Sequence, residues 1–226
     1  MTTGMALGGP TFGPASGGKA EKLVVFLHGW GANGADLIGL APHFARGLPT
    51  ALFQSPDAPF PCDANPAGLQ WWSFADNSQA QLVGGARLAA SLVGAYLDEQ
   101  QKALGLTDAD TALVGFSQGA MLALQVGLRM NRHLAGIVAY SGVLIAAETL
   151  KDELTSKPPV LLVHGERDTV VPPQASQVAA QFLSHGGLDA KLVLRPMLAH
   201  GIDEEGLRQG LAFLQKVLPP RRTATQ

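Results

Sequence analysis

The chain is poor in cysteine, aromatics and charge. Cys62 is the only cysteine among 226 residues, so no intramolecular disulfide framework is available. One unpaired thiol fits a reducing compartment, and the expected location is cytoplasmic. Charged residues make up 15% and the net charge is −2. No Lys/Arg cluster exceeds the terminal pair Arg221–Arg222. A phosphate-backbone footprint is therefore missing, which argues against nucleic acid as a partner. No apolar run approaches the roughly 20 residues of a membrane span, so no integral membrane segment is expected. Residues 1–22 lack an apolar stretch behind a basic start and do not read as a signal peptide. Internal repeats and low-complexity tracts are also missing.

What is present is a large apolar fraction, 46%, enough for one well-buried core. Short β-rich runs alternate with longer amphipathic stretches. Strands are expected at Leu23–Leu27, Ala51–Gln54, Thr111–Gly115, Gly136–Tyr140, Val160–Val163 and Lys191–Leu194. Several are continuous apolar runs, as strands covered by helices on both faces require. Helices are expected over Ala35–Arg46, Gln79–Leu104, Gly119–Asn131, Pro173–His185 and Asp203–Val217. The alternation predicts an α/β fold with an open, mostly parallel sheet. The expected organisation is a loose segment 1–22 with a short edge strand around Met5–Leu7, one domain over 23–218, and a tail over 219–226.

Two connections stand out. Ser55–Asn77 is long and contains Trp71–Trp72; long ordered loops tend to be functional. Ser141–Pro159 is short, with room for one or two helical turns around Ile145–Leu150 and none for an inserted lid domain.

Gly115-Phe116-Ser117-Gln118-Gly119 matches G-x-S-x-G between an expected strand and an expected helix. That context predicts a strained turn with the Ser117 hydroxyl exposed above the sheet, its glycines leaving room for neighbouring backbone. The bland alternative is an ordinary Gly-rich turn with an N-cap serine. A hydroxyl near its free pKa is a poor nucleophile and needs a base within reach. Of the histidines following Ser117, only His200 lies in a loop between the last strand and the last helix. The acid should follow Val160–Val163. Glu166 and Asp168 both qualify by position; Asp168 is favoured because an apolar turn follows it and its side chain is short. Its task is to fix the imidazole tautomer and stabilise the imidazolium.

The segment Leu27-His28-Gly29-Trp30-Gly31-Ala32-Asn33-Gly34 permits two readings. Its glycines spell G-x-G-x-x-G, the dinucleotide fingerprint, with Asp57 near the expected acidic position. That reading makes the chain an oxidoreductase, but it leaves Ser117, Asp168 and His200 unexplained. The other reading is an H-G-x-G oxyanion loop, in which the backbone N–H groups of Trp30 and Gln118 face the developing negative charge. On it, the side chains of Trp30 and Gln118 are free to shape the pocket. Trp30, Trp71, Trp72 and Phe74 are the candidate acyl-site residues, although Trp72 and Phe74 could equally pack the long loop.

The pieces LHGWGANGADL, GFSQGAMLAL, YSGVL, VLLVHGERDTVVP and AHGIDEEGLRQGLAFL together resemble the phospholipase/carboxylesterase family, which includes bacterial carboxylesterases and acyl-protein thioesterases. The resemblance implies a single-domain α/β-hydrolase fold without a large lid, acting on carboxylic esters or thioesters with no metal or cofactor. It carries nucleophile, acid and base onto Ser117, Asp168 and His200, and the oxyanion amides onto Trp30 and Gln118. Where relatives often carry W-[FY]-D, this chain reads Gln70-Trp71-Trp72-Ser73-Phe74. The expected function is hydrolysis of short- or medium-chain acyl esters, with acyl-protein thioesterase or lysophospholipase activity as the alternative. Expected partners are small-molecule or lipid acyl esters, and a homodimer stays open. A non-catalytic binding protein, a peptidase and a dienelactone-type hydrolase are the rival readings of the fold. The last of these usually uses a cysteine nucleophile, and Cys62 lies in the wrong place.

Overall fold

Strands that are apolar on every residue need cover on both sides, and helices supply it. The computed structural model describes residues 6–76 and 78–221. The strands are β1 (Thr11–Phe12), β2 (Lys22–Leu27), β3 (Ala51–Gln54), β4 (Phe60–Pro61), β5 (Leu69–Gln70), β6 (Thr111–Phe116), β7 (Gly136–Tyr140), β8 (Val160–Gly165) and β9 (Ala190–Arg195). The helices are α1 (Gly34–Ile38), α2 (Ala41–Ala45), α3 (Gln79–Leu104), α4 (Gln118–Arg129), α5 (Leu150–Glu153), α6 (Gln174–His185) and α7 (Glu204–Val217).

Seven strands form one sheet in the order β1-β3-β2-β6-β7-β8-β9. All neighbours are parallel except β1, which runs antiparallel to β3. Side chains alternate strictly across it. Leu23, Val25, Leu27, Leu113, Ile137 and Leu162 face α3, α4 and α6. Val24, Phe26, Val114, Val138, Leu161 and Val163 face α1, α2 and α7. The period-2 alternation of a strand divides each apolar run between two cores. This is a single α/β-hydrolase domain.

Helix limits follow local chemistry. α3 starts at Ser78, whose hydroxyl accepts the Gln81 N–H, and stops at Gly105 with φ of +67°. Asp203 caps α7 by accepting the Gly206 N–H at 2.7 Å.

The structure departs from the sequence expectations in three places. The helix expected over Ala35–Arg46 is two short helices, separated at Gly39–Leu40, with Pro42 in the first turn of the second. A proline fits a helix start far better than a helix interior. The edge strand expected at Met5–Leu7 lies at Thr11–Phe12; Ala6 and Leu7 are outside any strand and Met5 is outside the described residues. The 55–77 connection contains the small antiparallel ribbon β4–β5. Between β7 and β8 there is only a 3₁₀ turn, Ala147–Thr149, followed by α5, so no lid domain is inserted there.

Candidate active site

The parallel strands all end on one side, and the loops beyond them carry the candidate residues. Ser117 follows β6 in the middle of the sheet and starts α4. Its backbone has φ 53° and ψ −117°, a strained conformation for a residue with a Cβ. The flanking glycines make the turn possible. A Cβ on Gly115 would lie 2.3 Å from the Gly119 carbonyl oxygen, and one on Gly119 would lie 1.9 Å from that of Leu27. Gly115 cannot carry a side chain unless α4 moves away from β6, nor Gly119 unless α4 moves away from β2.

Asp168 follows β8, and His200 follows β9. His200 Nδ1 lies 2.7 Å from Asp168 Oδ2. A carboxylate oxygen accepts, so Nδ1 carries the proton and Nε2 is left with a lone pair. The Val170 and Val171 N–H groups hold Asp168 Oδ1 at 2.9 and 2.8 Å. Burial pushes the Asp168 carboxyl up, but hydrogen bonds from His200, Val171 and Val170 outweigh it and leave the group below the usual range. It therefore stays ionised at neutral pH. Glu166, the positional rival, is exposed. The loops of acid and base are joined where the Arg167 N–H donates to the Leu198 carbonyl at 2.9 Å. The His200 ring sits against Phe116, the residue before Ser117, with centroids 4.9 Å apart. His200 and Asp168 thus lie beside the turn that bears Ser117, at the carboxyl edge of the sheet.

The Gly29–Gly34 loop lies beside this elbow. A Cβ on Gly29 would meet the Phe116 ring at 3.1 Å. The Trp30 N–H has no hydrogen-bond acceptor among the described residues, whereas its neighbours are paired: Gly31 N–H to Leu69 and Ala32 N–H to Gly29. Gln118 opens α4, where a helix leaves its first N–H groups unpaired. The dinucleotide reading fares badly here. The helix after the glycines has five residues, and the Asp57 carboxylate accepts the Gly34 N–H at 2.8 Å, where a pyrophosphate would be bound. Gly34 itself answers to packing, since a Cβ there would lie 2.1 Å from the Ser55 carbonyl oxygen.

The side chains of Trp30 and Gln118 are not free, contrary to the sequence expectation. Gln118 is fully buried. Its amide oxygen accepts the Trp71 N–H at 2.9 Å, and its NH₂ donates to the Trp72 carbonyl at 2.8 Å. Trp30 is 39% exposed, and its indole N–H donates to Gln70 Oε1 at 2.7 Å. Gln70 Nε2 donates in turn to Asp63 Oδ1, and Asp63 Oδ2 accepts from the Ser73 hydroxyl and the Phe74 N–H. These bonds, the Ser73 one foremost, hold the Asp63 carboxyl below its ordinary range.

The four aromatics separate into two groups. Trp30 meets Phe74 edge-on at 5.8 Å, and Phe74 meets Trp72 edge-on at 6.1 Å. Trp71 is fully buried, donates its indole N–H to the His28 carbonyl at 2.9 Å and packs in the core, in the same cluster as the buried Trp72, with the half-buried Phe74 against it. On the α3 side of this loop is a cleft of about 490 Å³, lined by Phe60, Trp72, Ser73, Gly85 and Leu88 among others; Ser117 and His200 are not in its wall.

Sequence reasoning missed the Asp63–Gln70 network, the amide clamp of Gln118 and two buried histidines. His28 and His164 are both fully buried and hydrogen-bonded at both ring nitrogens. Burial lowers the His28 pKa despite the Gly29 carbonyl beside it. Among the described residues no group of three or more His, Cys, Asp or Glu side chains is placed to hold a metal ion. No helix among them is long and apolar enough to cross a membrane.

The phospholipase/carboxylesterase family profile matches residues 14–218. The chain is 29% identical to esterase YpfH of Escherichia coli strain K12, over 88% of this chain and 84% of that protein. It is 31% identical to acyl-protein thioesterase 1 of Schizosaccharomyces pombe, over 86% of this chain and 90% of that one. The crystal structure of esterase PE8 superposes with a TM-score of 0.89 at 42% identity, covering 94% of this chain and all of that one.

Proposed function

The chain belongs to the phospholipase/carboxylesterase family, whose members are esterases and thioesterases, and we propose that it hydrolyses carboxylic esters of short or medium acyl chains through Ser117, His200 and Asp168. The observation that carries this reading is the 2.7 Å His200–Asp168 pair, set against the strained elbow that bears Ser117. His200 Nε2 takes the Ser117 proton as the hydroxyl oxygen attacks the acyl carbonyl. The carbonyl electrons move onto its oxygen, where the Trp30 and Gln118 N–H groups stabilise the charge. Each such donor is worth roughly a hundred- to a thousandfold in rate. Collapse expels the alcohol, which receives the proton from His200. Water then attacks the acyl-enzyme, giving its proton to the same nitrogen, and Ser117 leaves with it. Asp168, ionised and held at both oxygens, stabilises the imidazolium in each half.

Trp30 and Phe74, with Trp72 behind them, form the proposed apolar wall for the acyl group. Trp71 acts on that wall only by packing. A thioester or a lysophospholipid would enter the same cycle with a different leaving group, and the thioesterase relative favours keeping the former as the second reading.

A fluorophosphonate probe tests the assignment. It is expected to label the wild type and to fail on Ser117→Ala. Labelling that survives the substitution, or a wild type that resists the probe, rejects it. A panel of p-nitrophenyl esters and acyl thioesters then ranks the substrates.

A further inference from the structure

We propose that His164 is a positioning residue for this reaction: it holds the turn that presents Asp168 to His200, and Ser176 fixes the tautomer that lets it do so. The inference rests on the Ser117–His200–Asp168 reading above.

His164 lies in β8, four residues before Asp168, and is fully buried. Its Nε2 is 2.8 Å from the Val171 carbonyl oxygen. A carbonyl can only accept, so Nε2 carries the proton. Nδ1 is then bare, and the buried Ser176 hydroxyl lies 2.6 Å away to donate to it. The same hydroxyl is 3.4 Å from the Gly142 carbonyl, a longer and weaker alternative. The ring is therefore held in one tautomer by a partner on each side.

That tautomer acts on the acid in two ways. His164 Nε2 is 3.2 Å from Asp168 Oδ2, the same oxygen that His200 Nδ1 reaches at 2.7 Å. The N–H-bearing nitrogen of His164 thus sits against the same carboxylate oxygen as the proposed catalytic imidazole. The Val171 carbonyl that it grips belongs to a residue whose N–H holds Asp168 Oδ1. Val171 is thereby tied at both its N–H and its C=O, and both carboxylate oxygens are fixed. Without His164 the buried Val171 carbonyl has lost its partner, and the 168–171 turn can drift. The loss would be felt when His200 becomes charged, because only then does the carboxylate's aim matter most. A histidine that merely fills the core would leave turnover alone once the protein folds.

The test measures kcat and KM on a p-nitrophenyl ester for H164Q, H164L and S176A, with the low-field proton resonance of the His200–Asp168 hydrogen bond and the thermal midpoint of each. Gln places an N–H three bonds from Cβ, as Nε2 of His does. H164Q is expected to keep kcat within about threefold of wild type and to keep the resonance. H164L is expected to lose about tenfold to a hundredfold in kcat with KM unchanged, the pattern of an interaction made in the transition state, and to shift or lose the resonance. S176A frees the tautomer and is expected to lower kcat severalfold; it decides the matter if H164L does not fold. Wild-type turnover in H164L overturns the proposal, as do equal losses in H164L and H164Q, or wild-type turnover in S176A where H164L is unfolded. Ser117→Ala, assayed beside them, keeps the two readings apart. Activity surviving there defeats the nucleophile assignment, whereas a dead Ser117→Ala beside fully active H164L and S176A defeats only the role of His164.

Discussion

Gly119→Ala adds one methyl group at the point where α4 crosses β2. That methyl would sit 1.9 Å from the Leu27 carbonyl oxygen, 2.4 Å from its carbon and 2.7 Å from the His28 carbonyl oxygen. Real Cβ contacts stay beyond 3.0 Å, so the helix start must retreat by about 1 Å. The obstructing atoms are main chain at the end of a central strand, with Leu27 paired to Gly115 of β6 and the His28 carbonyl held by the Trp71 indole, and cannot swing aside. Overpacking of a core costs about 1–3 kcal/mol when side chains can adjust; here the upper end applies. At about 3 kcal/mol, a chain of this size loses roughly 6–12 °C in Tm. The same retreat carries Ser117 and the Gln118 N–H with it, and a displacement of about 1 Å at reacting groups costs on the order of a hundredfold in turnover. Thermal unfolding by circular dichroism and initial rates on p-nitrophenyl acetate measure both. Gly84→Ala is the control. It lies in α3 with nothing within 4 Å of the added methyl, and is expected to raise Tm by about 2–4 °C through helix propensity. A Gly119→Ala protein that melts with the wild type and turns over within twofold of it would refute the steric account of the elbow.

Gln118→Ala leaves the Trp71 N–H and the Trp72 carbonyl without partners in a buried setting. The expected loss is about 2–4 kcal/mol, read as a lower urea midpoint, with Gln118→Glu lower still because it would bury a carboxylate against the Trp72 carbonyl oxygen. Acid stability follows from Asp110, Glu153, Asp168 and Asp203, all held below their ordinary range. Depressed carboxyls bind protons more readily in the unfolded chain. Their contribution is complete near neutral pH and is lost as pH falls below about 4, through the folded values. Tm measured from pH 7 to pH 3 should fall most steeply there. Asp203→Asn, which keeps a capping side chain but loses the Arg195 pair, should flatten part of that slope.

The framework was legible wherever one local signal dominated. Apolar runs such as Leu23–Leu27 and Val160–Val163 admit little except a strand covered on both faces, and their limits fall within two residues of the observed ones. The elbow was readable because its glycines obey contacts made within the motif or with the adjacent strand. The single helix expected over Ala35–Arg46 overlooks Pro42, which fits the first turn of α2 and not the interior of one long helix. The edge strand lies at Thr11–Phe12 and not around Met5–Leu7 because pairing with β3 depends on the register of a distant partner, Thr11 opposite Gln54. Long-range polar contacts left no trace. Gln118 meets residues 46 and 47 positions away, and nothing about a glutamine after the elbow serine announces them. Trp71 and Phe74 lie three residues apart with the same composition around them, yet one is core and the other lies at the surface wall. His164 and Asp168 are four apart in sequence, but their contact exists only because the chain turns between Gly165 and Asp168, where the Asp168 N–H donates to the Gly165 carbonyl.

Pinning the Trp71–Trp72 backbone to the first residue of α4 limits how this enzyme can change its taste. A shorter or longer loop there would pull on the residue next to Ser117, so insertions and deletions are closed routes. On the proposed acyl wall, new preferences would have to come from exchanging side chains at positions 30, 72 and 74 on an unaltered main chain, which makes those three positions the natural library for directed evolution.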